Sequence, residues 1–206
     1  MYVKNNMTVN PKTVHPDQTI SEVLDLMHEF KIHRIPVVSD GRLVGLVTQG
    51  VVAENSPSRL STLSIHEMNY LLSKTKVKDI MIKKVYTISP EALAEEAAFV
   101  MEQKDIGCLP VVGEANVLLG ILTTSDILKA FVNILGYNQK GSRVALQVVD
   151  EIGVFAELTK LLANNKISIS HLVNRDTEII FRCDELDQKK LRKLLETNGY
   201  NIISIQ

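Results

Sequence analysis

At 206 residues the chain has room for one large domain or two small ones, and at 45% hydrophobic and 23% charged it buries a core instead of staying disordered. A net charge of −1 offers no global field to a polyanion, and the basic residues are scattered among few aromatics, which argues against nucleic-acid binding. Residues 1–10 lack the apolar core of a signal peptide and no apolar run approaches the ~18 residues of a membrane span, so a cytoplasmic protein with no membrane contact is expected.

From the start of the chain, Thr13-Val14-His15-Pro16 reads as a short strand. Ile20, Val23, Leu24 and Met27 then have the spacing of one buried helix face. Residues 35–38 and 43–47 are apolar runs joined by a polar turn, as in a hairpin. Pro36 cannot donate to a ladder and is expected at a strand start or an unpaired edge. A helix should follow Thr48-Gln49-Gly50-Val51, Asn55-Ser56-Pro57-Ser58 breaks the structure, and residues 65–72 form a connecting helix leading to 77–81.

The same order then returns at a constant offset. Thr87-Ile88-Ser89-Pro90 repeats the first strand, Ala94, Ala97, Ala98 and Met101 repeat the helix stripe, and Ile106, Pro110, Val111 and Val112 repeat Ile32, Pro36, Val37 and Val38. One inserted residue later, Gly120-Ile121-Leu122-Thr123 repeats Gly45-Leu46-Val47-Thr48. One copy cannot cover both faces of its own sheet, so the two should pack together about an approximate two-fold axis as one domain, residues 1–135, with copies at about 7–60 and 77–135.

Residues 136–141, GYNQKG, read as a linker. Beyond it the pattern predicts a strand at 144–149, a helix at 155–163, strands at 167–173 and 178–183, a helix at 188–197 and a strand at 201–205. That is the βαββαβ order of a ferredoxin-like domain over 142–206, and it makes the whole chain α/β in class, of the α+β kind. Cys108 and Cys183 lie in apolar segments and read as core positions, not as a disulfide.

The segments TVHPDQTISEVLDLM, IHRIPVVSDGRLVGLVT, DIMIKKVYTISPEAL, IGCLPVV and GILTTSDIL resemble the CBS domain pair, or Bateman module. The arrangement with a βαββαβ domain behind it resembles the acetoin-utilisation accessory protein family, in which that domain is ACT-like. The resemblance implies a pseudo-two-fold CBS pair with clefts between its copies for an adenosine-containing regulatory ligand: AMP, ADP, ATP or S-adenosylmethionine. It implies no cofactor, and it implies a homodimer with a possible regulated partner protein.

Thr123-Thr124-Ser125-Asp126 follows a strand and opens a helix, where free backbone donors and the dipole favour a phosphate. Thr123 and Ser125 add hydroxyls, and the resemblance gives Asp126 the ribose diol; the alternative is a simple helix cap. The opposite wall of that cleft is expected from Ile32, Lys12 and Val14, with Cys108 on its phosphate side. A second cleft would draw on Thr48, Arg34, Ile106 and Tyr86, but Val51 stands where the other copy has its aspartate. In the ACT-like domain Gly153, at the first strand-to-helix turn, is the candidate effector position, and turn geometry alone also explains it.

Catalysis finds no support in the motifs. His15, His28, His33, His66 and His171 lack metal-ligand spacing, and there is no nucleophile elbow, Walker lysine loop or dinucleotide fingerprint, so the chain is not expected to be an enzyme. A competing reading is a constitutive dimerisation scaffold with vestigial clefts.

Overall fold

The computed structural model describes residues 1–55, 64–149, 151–175 and 177–206. Ser56, Pro57 and Ser58 of the expected break lie outside the described residues. The chain divides into two compact units, Met1–Ile127 and Leu128–Gln206.

The first unit is the duplicated one. Its first copy holds α1 (Ile20–Phe30), the hairpin β2 (Arg34–Ser39) and β3 (Arg42–Thr48), and α2 (Gln49–Glu54). After α3 (Ile65–Lys74) and the short α4 (Val77–Ile80), the second copy holds α5 (Ala94–Gln103), the hairpin β4 (Cys108–Val112) and β5 (Leu118–Thr123), and the start of α6 (Thr124–Ile134), inside which the division between units falls. The first hairpin turns on Asp40 and Gly41, both at positive φ, the pairing a two-residue turn requires. The second uses the longer Gly113–Val117 link, where the one-residue insertion sits.

The strands expected around Val14 and Ile88 shrink to single parallel bridges, Val14 to Val37 and Ile88 to Val111. Val14 N–H donates to Pro36 O at 3.1 Å and Val38 N–H returns to Val14 O at 2.9 Å. The next rung would need the Pro36 N–H, which proline lacks, and Pro110 ends the equivalent ladder beside Ile88.

Each copy has its own buried cluster, Val14, Ile20, Val23, Ile35, Val37 and Val47 in one and Ile88, Ala97, Met101, Leu109, Val111 and Leu122 in the other. The segments leading into the copies are exchanged. Val77 is buried in the first cluster, and its N–H donates to Gln18 O; Val3 is buried in the second, and its N–H donates to Ala92 O. β1 (Thr8–Val9) adds to β5, giving the sheet order β1-β5-β4, while Ile82 exchanges two backbone bonds with Leu46 of β3. Met81 Sδ lies where a Cβ on Gly45 would be 2.5 Å away, and Met7 Sδ lies 2.6 Å from the equivalent position on Gly120. Between the copies, Leu46, Cys108 and Ile121 form a small buried cluster with Val85 against it.

The second unit carries β6 (Ser142–Gln147), α7 (Val154–Asn164), β7 (Ile169–Arg175), β8 (Glu178–Cys183), α8 (Gln188–Thr197) and β9 (Asn201–Ile205), so its element order is βαββαβ. Its four strands run antiparallel in the order β7-β8-β6-β9, over a core that includes Leu146, Leu158, Leu162, Phe181, Leu191 and Leu195. Element ends differ by one or two residues from those expected, the usual fraying at caps. Among the described residues no helix is long and apolar enough to cross a membrane.

Candidate functional site

A helix following directly on a strand leaves its first backbone N–H groups without helical partners, and both copies of the first unit make this junction. At α6 the junction closes on itself. Asp126 Oδ2 accepts from Thr123 N–H at 2.9 Å and from Thr123 Oγ1 at 2.7 Å, while Thr123 Oγ1 accepts from Asp126 N–H at 3.4 Å. This is the reciprocal geometry of a capping box. At α2 only half of it exists: Thr48 Oγ1 accepts from Val51 N–H at 3.2 Å, and Val51 has no carboxylate to return.

It is at the α2 junction that a cavity opens. It has a volume of about 700 Å3, within the roughly 300–1,000 Å3 of small-molecule sites. The first copy contributes His33, Arg34, Leu46, Thr48, Gln49 and Gly50. The segment leading into the second copy adds Ile82, Lys84, Val85 and Tyr86, and the turn into β4 adds Asp105, Ile106, Gly107 and, as its first strand residue, Cys108. The site exists because the leader segment of the second copy is laid across the hairpin of the first, so residues far apart in the chain share one wall.

The geometry around Arg34 is close. A Cβ added to Gly107 would stand 2.1 Å from Arg34 Nη2 and 2.8 Å from Cζ, so the guanidinium lies directly on the bare backbone of Gly107. Cys108 beside it is 4% exposed, and burial pushes its thiol up to about 11, with the Arg34 charge pulling the other way. The thiol is therefore neutral near pH 7 and leaves the positive charge of Arg34 uncompensated. Lys104 Nζ stands 5.5 Å from the centre of the Tyr86 ring, a cation–π distance.

Thr48, Arg34, Ile106 and Tyr86, expected around a second cleft, are brought together on this one cavity, and Cys108 joins them. Thr123, Ser125, Asp126, Ile32, Lys12 and Val14 are not among its lining residues. Val14 is in the core of the first copy and Ile32 packs against that core. Lys12 Nζ lies over the Phe30 ring at 4.0 Å, and Ser125 is exposed in the first turn of α6. His33, Gln49, Gly50, Lys84, Val85, Asp105 and Gly107 line the cavity without having been singled out in the sequence. A usable signal was the offset itself, which pairs Arg34 with Cys108 and His33 with Gly107, a charge and a side chain present in one copy and missing in the other.

In the second unit Gly153 takes φ +100° at the start of α7, and a Cβ there would meet nothing within 4 Å, so the backbone angle and not space calls for glycine. A second cavity of about 630 Å3 lies beside this turn, lined by Ile152, Val154, Glu157 and Tyr200 among others. Among the described residues no group of His, Cys, Asp or Glu could hold a metal ion.

Comparison with known proteins agrees with the duplication. The family model described as the CBS domain matches residues 3–55 and 77–133, one match per copy. A crystal structure of a candidate acetoin utilization protein (AcuB) from Vibrio cholerae shares 29% identity at a TM-score of 0.55, covering 68% of this chain and 98% of that one. The CBS domain pair of protein MJ0100, solved with 5-methylthioadenosine and S-adenosyl-L-methionine, shares 25% identity at a TM-score of 0.54 over 68% of this chain and 98% of that one. CBSX2, solved with AMP, shares 29% identity at a TM-score of 0.54 over 65% of this chain and 97% of that one.

Proposed function

The chain belongs to the CBS domain family, with two copies of the domain in its first unit, and from that premise we propose that it is a regulatory, non-catalytic protein that senses an adenosine-containing ligand between those copies. The observation that carries this reading is the cavity of about 700 Å3 built jointly by β3, α2 and the segments around Tyr86 and Ile106. Leu46, Ile82, Val85 and Ile106 supply apolar surface for a base, and Arg34, Lys84 and Thr48 supply polar groups for the rest. Two similar structures were solved with adenosine compounds, AMP in one and S-adenosylmethionine with methylthioadenosine in the other. A ligand touching both copies binds unequally to arrangements in which they sit differently, and unequal affinity is what regulation requires.

Asp126 and Thr123 form the cap of α6 in this structure, and a ribose-binding role for them in a symmetry-related cleft is the part of the reading that the resemblance supports. We read the second unit as ACT-like, from its βαββαβ order and the glycine-started α7, serving dimerisation or a second effector at the cavity beside Ile152. A link to acetoin utilisation rests on the likeness to AcuB, and a cytoplasmic homodimer is part of the same proposal, carried by the resemblance to CBS pairs alone.

The test is calorimetric titration of the whole protein with AMP, ADP, ATP and S-adenosylmethionine, beside Gly50→Trp. A Cβ at Gly50 meets only Thr48 Oγ1, at 3.7 Å, so the indole fills the hollow with little strain in the fold. At least one adenosine compound should bind the native protein, and Gly50→Trp should abolish binding while keeping the melting temperature. Absence of binding by all of them would leave the scaffold reading in its place.

A further inference from the structure

Two glycines interrupt strand interiors of the first unit, Gly45 in β3 and Gly120 in β5, and each is roofed by a methionine of an exchanged leader. Met81 Sδ and Cγ lie 2.5 and 3.0 Å from where a Cβ on Gly45 would stand, and Met7 Sδ and Cγ lie 2.6 and 3.1 Å from the same place on Gly120. Met7 and Met81 are separated by the same offset as Thr13 and Thr87, so the two clips are equivalent under the duplication. Both thioethers also pack on the rim of a buried cluster, Met81 on that of the first copy and Met7 on that of the second.

Beyond Met81 the leader is held to β3 by the two bonds between Ile82 and Leu46, at 2.9 and 3.0 Å, and it then runs into Ile82, Lys84, Val85 and Tyr86 of the cavity wall. The sulfur clip is therefore the last side-chain anchor before that wall. Exposure separates the clips from the helix methionines: Met27 and Met101 are 7% and 3% exposed, whereas Met7 and Met81 are half-buried. Peroxide is little larger than water and reaches a half-buried thioether well before a buried one.

We propose that Met81 is a modification site, at which hydrogen peroxide unclips the second leader from β3 and loosens the cavity wall. A sulfur lone pair attacks one peroxide oxygen and the O–O bond breaks. The departing hydroxide takes the proton from the oxygen now on sulfur and leaves as water, so the thioether is oxidised to the sulfoxide and the peroxide is reduced. The new S–O dipole must sit between a bare glycine and an apolar cluster, where the Ile82 carbonyl oxygen already stands 3.1 Å from the Gly45 Cβ position and offers it no donor. Met7 has the same chemistry over Gly120, but its leader enters β1 and none of residues 1–9 lines the cavity, so its oxidation frays β1 and spares the ligand.

The full chain is treated with hydrogen peroxide beside Met81→Leu and Met7→Leu, and read by peptide mass spectrometry, amide hydrogen exchange and calorimetric titration with AMP and S-adenosylmethionine. Leucine keeps the apolar bulk and has no sulfur to oxidise. Met81 should gain oxygen well before Met27 and Met101, and the amides of Leu46 and Ile82 should then exchange about tenfold faster or more. Only the titration rests on the adenosine reading above. Affinity for whichever probe binds should fall about tenfold in the native protein and in Met7→Leu, stay level in Met81→Leu, and return once methionine sulfoxide reductases remove the oxygen. Met81 resisting peroxide as long as Met27 and Met101 do, slow exchange at Leu46 and Ile82 after oxidation, or unchanged affinity in the oxidised protein overturns the inference and leaves the adenosine reading standing. No binding of either probe by the untreated protein counts against the adenosine reading alone, and mass spectrometry and exchange then decide the clip by themselves.

Discussion

At the scale of single residues, Thr48 and Thr123 show how one side-chain type can be committed to different tasks by its neighbours. Asp126 bonds back to Thr123, and its helix is started by that reciprocal pair. Asp126→Ala should therefore lower stability by about 1 kcal/mol, the usual worth of a helix cap, seen as a fall in urea midpoint at unchanged slope. Thr48→Ala removes the weaker, one-sided cap of α2 and also a hydroxyl of the cavity, so it should weaken ligand binding as well as stability. The sequence showed that Thr48 and Thr123 occupy equivalent places, and it showed the arginine without a twin. What it did not show is that Asp126 caps α6, because a carboxylate three residues on can turn inward to the backbone or outward to a ligand, and both uses demand the same residue.

At the scale of elements, the two glycines under methionines make a graded prediction. Gly45→Ala meets the flexible Met81 Sδ at 2.5 Å and the Ile82 carbonyl oxygen at 3.1 Å, whereas Gly120→Ala meets the Thr8 carbonyl oxygen more closely, at 2.8 Å, and that oxygen cannot move without shifting β1. Overpacking should cost about 1–3 kcal/mol, with Gly120→Ala at the upper end, measured as a difference between the two midpoints in denaturant. Acid sensitivity has an elemental origin too. Glu22 closes the capping box of α1, and the backbone and hydroxyl bonds from Thr19 hold its carboxyl below the usual value of 4.5. A carboxyl depressed on folding contributes stability above its unfolded value and loses it as pH falls through the folded one. Glu22→Gln should accordingly lower the melting temperature at pH 7, with its deficit against the native protein shrinking as pH falls below about 4.5. The helix stripes of α1 and α5 and the paired hairpins were legible from spacing alone, since Ile20, Val23 and Met27 recur at helical intervals and are buried. The exchange of the leader segments was not, because Val3 and Val77 look alike whichever copy they serve, and only tertiary packing assigns them.

At the scale of the molecule, the chain holds two units with separate cores. Phe181, 1% exposed in the middle of the second core, is the sharpest probe of that separation. Phe181→Ala should cost about 3–5 kcal/mol, and hydrogen exchange should rise across the second unit, with the amides of Val37, Val47 and Leu122 remaining slow. The crossed leaders of the first unit bear on how the protein is made. Tyr2 and Thr8 are synthesised long before the positions they join, Leu93 ahead of α5 and Ile121 in the last strand of the second copy. The nascent chain must keep this short strand waiting until the second hairpin is made, whereas the first copy needs the chain only as far as Ile82, and cutting the gene between the copies should yield two fragments that solubilise only when expressed together.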